Sequence, residues 1–197
     1  MALDKRQRFI TILILGLLSA LGPFSIDMYL PGFPVIAKSL NTSMEYVGYS
    51  LSSFFVGISV GQLIYGPLLD RFGRKRPLYV GMVIYILASV GCAFATSIEV
   101  LIVLRLFQAL GGCVGMVAPR AMVRDSFPVE ENAKIFSLLV LILGVSPVLA
   151  PTAGSLVISA FGWNAVFTVL AVVALITLLI VIFWLPGKFQ TRVQPLM

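Results

Sequence analysis

Apolar runs of membrane-spanning length fill most of this chain, and they constrain its fold more than any other feature. Phe9–Leu30, Val47–Leu69, Leu78–Ala95, Val100–Val117, Ala133–Ile158 and Ala165–Leu185 each meet or approach the roughly 20 apolar residues that carry a helix across a bilayer. Of the 197 residues, 59% are hydrophobic and only 11% charged. Soluble domains carry about 25% charged residues, and a soluble core of this size has no room for so much apolar surface. Lipid is therefore the solvent. The runs are continuous, which selects helices over barrel strands, whose apolar residues alternate in roughly ten-residue segments. The expected fold is an all-α membrane protein with six transmembrane helices.

The first run follows Lys5, Arg6 and Arg8, as a secretory signal would. It is longer than a signal's apolar segment, contains Asp27, and is closed by no small-residue cleavage site, so it reads as a permanent span. With the N-terminus in the cytoplasm and the spans alternating, Lys5, Arg6, Arg8, Arg71, Arg74, Lys75, Arg76, Arg120, Arg124, Lys134, Lys188 and Arg192 fall on the cytoplasmic side. Lys38 falls outside and Arg105 within a span. Twelve of fourteen basic residues on one side satisfy the positive-inside rule. The net charge of +6 thus reports orientation, and no basic–aromatic module for nucleic acid accompanies it. There is no histidine, and Cys92 and Cys113 lie in predicted spans without metal-ligand spacing. No nucleophile–base pair or metal set is present, which argues against an enzyme.

Between the second and third runs lies Gly66-Pro-Leu-Leu-Asp70-Arg71-Phe-Gly73-Arg74-Lys75-Arg76. A spacer needs polarity, not this order of glycine, acid and base. Gly66 permits close helix contact, Asp70 accepts charge-assisted hydrogen bonds, and Arg74 is spaced to pair with Asp70 if the segment stays helical. Gly73 supplies the turn. The outer loop Pro31–Glu45 carries Pro31, Gly32 and Pro34, which are expected to break the first helix. The inner loop Arg120–Ala133 is expected to hold a short amphipathic helix on the membrane surface. Gly66 to Phe72-Gly73 resembles Gly154 to Phe161-Gly162 after the fifth run. That points to two groups of three helices repeated in inverted orientation, a transporter plan.

Two charges lie inside the spans. Asp27 and Arg105 fall at similar depth, so they are expected to pair or to face a common polar cavity. An intramembrane charge is costly and marks function. Gln108 and Gly112 share a helical face with Arg105. The fifth run holds Gly144, Pro147, Pro151 and Gly154, with Ser146, Ala150 and Ala153 between them. This predicts a kinked, close-packed helix at a moving interface.

The Gly66–Arg76 loop resembles the signature between helices two and three of the major facilitator superfamily. Leu101-Ile-Val-Leu-Arg105-Leu-Phe-Gln108-Ala-Leu-Gly111 resembles its fourth-helix motif, with Ala109 where glycine is usual. The fifth run resembles the antiporter motif, with Ser146-Pro147 and Ala150-Pro151 in place of its Gly-Pro pair. Ser25-Ile-Asp27-Met-Tyr-Leu-Pro31, Arg120-Ala-Met-Val-Arg124-Asp125 and Phe161-Gly-Trp163 are similar to the Bcr/CflA group of drug exporters. The resemblance implies a proton-coupled exporter of small amphipathic compounds in a bacterial inner membrane, driven by the proton gradient without a cofactor. It assigns Asp27, Arg105 and Gln108 to proton coupling or the cavity, and Gly66, Asp70, Arg71, Gly73 and Arg74 to a conformational latch. The family has twelve helices. Residues 1–186 then form the N-terminal six-helix half and 187–197 begin the cytoplasmic linker or form a truncated tail, and a second half, or a second chain, is the expected partner. A non-transporting scaffold that pairs with another transporter, and an importer, are the alternatives.

Overall fold

The six spans form as expected in the computed structural model, which describes residues 5–185. Helix α1 is Lys5–Asp27, α3 Met44–Phe72, α4 Lys75–Ala93, α5 Ile98–Ser126, α6 Val129–Phe161 and α7 Asn164–Trp184, with a short α2 (Phe33–Ser39) between the first two spans. The predicted linker, with Lys188 and Arg192, lies outside the described residues. Helices α3 and α5 outlast their apolar runs with capped first turns. Ser43 and Ser97 accept from the backbone N–H groups of Tyr46 and Val100, and Glu45 and Glu99 sit in the positive first turns that follow.

Two loops differ from expectation. No separate surface helix forms over 120–133: α5 continues to Ser126 and α6 starts at Val129, leaving Phe127-Pro128 as the connection. Met122 and Val123 are buried, so the basic segment is the last turn of a packed helix rather than a strip lying on lipid. The first helix ends at Asp27, ahead of Pro31. Pro31 and Pro34 instead open a 3-10 turn (Leu30–Gly32) and α2, at first-turn positions where a missing N–H costs nothing.

Helix α5 is central and packs on α3, α4 and α1, while α6 lies on α1 and α7 on α4. One core cluster fills the end where α1 begins, around Leu18, Leu78, Met82, Val114, Met122 and Val181. The other fills the far end, around Met28, Tyr29, Val47, Leu101 and Phe167.

The inverted repeat is written into the backbone. Helix α3 stops at Gly73 with φ 78° and ψ 172°, and α6 stops at Gly162 with φ 85° and ψ 169°. That region is open essentially to glycine alone. Aligned on these glycines, Gly57 and Gly61 of α3 match Ser146 and Ala150 of α6. A Cβ at Gly57 would lie 2.6 Å from Ala109 Cβ, and one at Gly61 2.7 Å from Cys113 Cβ, both on α5. On the matching helix Ser146, Ala150 and Gly154 are buried, and Gly154 abuts the backbone of Met28 beyond the end of α1. Small residues thus bring α3 onto α5 and α6 onto α1.

The glycines matched by eye within the helices are not equivalent. Gly66 precedes its terminal glycine by seven residues and Gly154 by eight. Gly66 faces open space, so the close contact expected there does not form, and Gly144 is equally open. Pro147 and Pro151 lie inside α6 without interrupting it.

Gly73→Ala and Gly162→Ala should each destabilise the bundle by about 1–3 kcal/mol, read as lower thermal midpoints in detergent. Gly48→Ala and Gly66→Ala, in helices with open space around them, should be neutral or stabilising by up to about 1 kcal/mol.

Candidate functional site

The far half of the bundle encloses a cation. Arg105 on α5 is 0% exposed. Its Nη1 donates to Gln108 Oε1 at 2.7 Å and to the Ser25 carbonyl at 3.0 Å. The guanidinium carbon lies 4.1 Å from the centre of the Phe54 ring, 4.5 Å from Tyr29 and 5.7 Å from Phe167. These rings come from α3, the end of α1 and α7, so four elements close on one charge.

The Ser25 carbonyl is free for a physical reason. As α1 tightens at its end, Tyr29 N–H donates to Ile26 and Met28 N–H to Phe24, which leaves Ser25 without its helical donor. Arg105 fills that vacancy, and it sits at the negative end of the α1 dipole. Aromatic faces and a helix end here offset part of a desolvation cost that is still several kcal/mol per ion. Nε and Nη2 of Arg105 are buried with no hydrogen-bond partner among the described residues.

A polar network supports this arrangement. Gln108 Nε2 donates to Ser89 Oγ at 2.8 Å, and Ser89 Oγ donates to the Tyr85 carbonyl at 2.7 Å. Ser25 Oγ and Tyr85 Oη are 2.6 Å apart, and Tyr29 Oη and Ser50 Oγ 2.7 Å. Asp27 is half-buried at the last residue of α1, with no hydrogen bond or ion pair among the described residues. The expected pair with Arg105 does not form. Arg105 takes the backbone carbonyl left free at the end of α1 in place of the Asp27 carboxylate.

At the other end lies the charged loop. Helix α3 ends at Phe72, yet Arg74 still reaches back to Asp70, with Nη1 to Oδ1 at 2.7 Å. Its Nε donates to Asp125 Oδ2 at 2.8 Å, tying the loop to the last turn of α5. Burial acts against the Arg74 charge, but the hydrogen bonds to Asp125 and Asp70 outweigh it and hold the guanidinium above its ordinary range. Both acids sit in the last turns of their helices, where their own dipoles disfavour them, and Arg74 neutralises the two together. Arg71 is exposed with its guanidinium 5.4 Å from the Phe72 ring and makes no ion pair among the described residues. Near this end a cavity of about 50 Å³ lies between α1, α5 and α6, lined by Ser19, Met116, Arg120, Phe136 and Leu139 among others.

Arg105 and Gln108 are thus brought together, Asp27 ends α1 without joining them, and Asp70, Gly73 and Arg74 form one unit at the opposite end. The aromatic cage and the second acid, Asp125, are absent from the site expected from sequence. Asp125 carries a readable signal, an acid at a helix C-terminus that calls for a cation. Phe54 and Phe167 carry none, since aromatics in apolar spans are indistinguishable from lipid-facing ones. Arg105→Lys keeps the charge but loses the planar fork and its stacking. It should cost about 1–3 kcal/mol of stability in thermal unfolding, against about 1 kcal/mol or less for Arg74→Ala at its more exposed pair.

The sequence profile of the Major Facilitator Superfamily matches residues 15–196. A Bacillus subtilis protein described as the uncharacterized MFS-type transporter YdgK is 40% identical over 178 residues, 89% of this chain and 44% of its own length. A bicyclomycin resistance protein homolog of Haemophilus influenzae is 37% identical over 183 residues, covering 93% of this chain and 46% of that protein. The multidrug resistance protein MdtL of Shigella dysenteriae is 37% identical over 162 residues, covering 82% of this chain and 41% of its own. The chain spans less than half the length of these relatives. Six apolar helices, the loop signature and its closed Asp70–Arg74–Asp125 geometry agree with this match, and the chain belongs to the major facilitator superfamily, a family of membrane transporters rather than enzymes.

Proposed function

We propose that this chain forms one half of a proton-coupled exporter of small amphipathic compounds, seated in a bacterial inner membrane with its N-terminus in the cytoplasm. The observation that carries this reading is the caged Arg105, bound to the Ser25 carbonyl two residues before an unpaired Asp27 at the end of α1. A buried cation with two nitrogens that lack a hydrogen-bond partner, and no counter-ion among the described residues, is held at a cost, and protonation of an unpaired carboxylate on the helix it caps supplies a means of changing its field. In the proposed cycle Asp27 takes up a proton from the outer side as drug leaves and releases it inward as drug binds. Arg105 and Gln108 link that charge to the end of α1. The proton gradient drives the cycle, and no cofactor takes part. The names of the bicyclomycin and multidrug resistance relatives support drugs as the substrate class.

A second six-helix unit is the proposed partner. Helices α3 and α6 are the least buried spans, and they expose Val56, Val60, Leu63 and Ile64 on one, and Val145, Val148, Leu149 and Leu156 on the other. They are equivalents in the repeat, as a pair of seams around a central path requires. In this arrangement Asp70, largely exposed beside Arg74, is free to meet a helix end of the second unit and to lock one face shut. The basic residues gathered at one end support the orientation.

The reading is tested by expressing the chain, with and without the DNA downstream of codon 197, in an efflux-deficient bacterium and measuring drug accumulation. Lower accumulation that vanishes with a protonophore, and with Asp27→Asn or Arg105→Ala, is the expected result. Unchanged accumulation with either length of DNA sinks the proposal and favours a non-transporting scaffold. Raised accumulation would mean import.

A further inference from the structure

The α4–α7 pair carries two hydrogen bonds that the transport reading does not use. Lys75, the first residue of α4, is 6% exposed, and its Nζ donates to the Leu185 carbonyl just past α7 at 2.7 Å. Asn164, the first residue of α7, donates from Nδ2 to the Ala93 carbonyl at the end of α4 at 2.6 Å. Each helix therefore begins with a side chain that caps the end of the other.

The two caps are equivalents in the internal repeat. Lys75 lies two residues after Gly73 and Asn164 two residues after Gly162, the glycines with matching backbone angles. Each cap also meets a real need. The turn after α4 runs from Phe94 N–H to Gly91 and from Ala95 N–H to Cys92 and stops there, and neither Thr96 nor Ser97 N–H reaches Ala93 C=O. A carbonyl left free at the end of a span lacks a partner where water is scarce. Lys75 stands at the positive end of its own helix, where a cation is disfavoured, and at the negative end of α7, where one is favoured. Its placement makes sense for α7, not for α4. The donor types differ as charge placement demands: the cation caps at the end crowded with arginines, the neutral amide at the far end.

We propose that Lys75 and Asn164 are a matched pair of positioning residues. Their reciprocal caps hold α4 and α7 as one antiparallel strut, and the Lys75 cap fixes the backbone of the loop from which Arg74 reaches Asp70 and Asp125. Lys75 follows Arg74 directly, so anchoring its side chain on α7 sets where the Arg74 backbone stands. Loss of the cap releases the loop as well as the end of α7.

Hydrogen exchange on the full chain in lipid nanodiscs tests this without substrate, so its outcome is independent of the transport reading. Lys75→Met should speed exchange about tenfold to a hundredfold, the loss of one hydrogen bond from a charged donor, at residues 182–185 and at Gly73–Arg74. Lys75→Arg should restore protection at both. Asn164→Asp, which keeps shape but removes the donor, should speed exchange at residues 93–95 and leave Gly73–Arg74 unchanged. If Lys75→Met does not insert, Lys75→Gln with its shorter donor takes its place. Native protection at residues 182–185 or 93–95 in inserted protein overturns the pair. Release of 182–185 with Gly73–Arg74 still protected overturns the positioning role.

Discussion

No water waits inside a bilayer to satisfy a free carbonyl, and the architecture of this chain follows from how its helices are allowed to stop. The α3 and α6 helices stop on glycines at backbone angles closed to other residues. Where α1 stops, the Ser25 carbonyl takes Arg105; where α4 stops, the Ala93 carbonyl takes Asn164; past the end of α7, the Leu185 carbonyl takes Lys75. Three of these ends are therefore finished by side chains from other helices. The side chains that end the spans are also the ones that join them.

That economy explains why the interior charge and the fold are inseparable. Arg105 caps α1, stacks on rings from three other elements and bonds Gln108, which continues to Ser89 on α4. A change in its field or position acts at once on α1, α3, α4 and α7. At the opposite end Arg74 joins the α3–α4 loop to α5 through two acids that their own helices disfavour. The stripes of small residues on α3 and α6 let these contacts form by bringing backbones close, and they leave the outer faces of both helices bare and apolar.

Much of this was legible in order along the chain. Span number and loop charge follow from hydropathy and from the Gly66–Arg76 pattern. The repeat was readable from Phe72-Gly73 and Phe161-Gly162, although the internal glycines were aligned one residue out of register. Other features were not legible. The Arg120–Ala133 segment reads as a short surface helix, but Met122 and Val123 find partners in the core and make its first part the end of α5. Asp27 and Arg105 invite pairing by sign and depth, but their contact depends on which carbonyl the end of α1 leaves free.

By itself the sequence determined that this chain belongs in lipid, holds six apolar runs of spanning length and carries a superfamily's loop signature, because apolar length and residue order are local properties. Only the tertiary structure decided that Arg105 pairs with a carbonyl and three rings instead of an acid, that Asp125 completes the loop, and that Lys75 serves the helix opposite its own. Those outcomes rest on which helix ends meet across the bundle, and hydrogen-bond geometry over a few ångströms is set by packing between segments far apart in the chain.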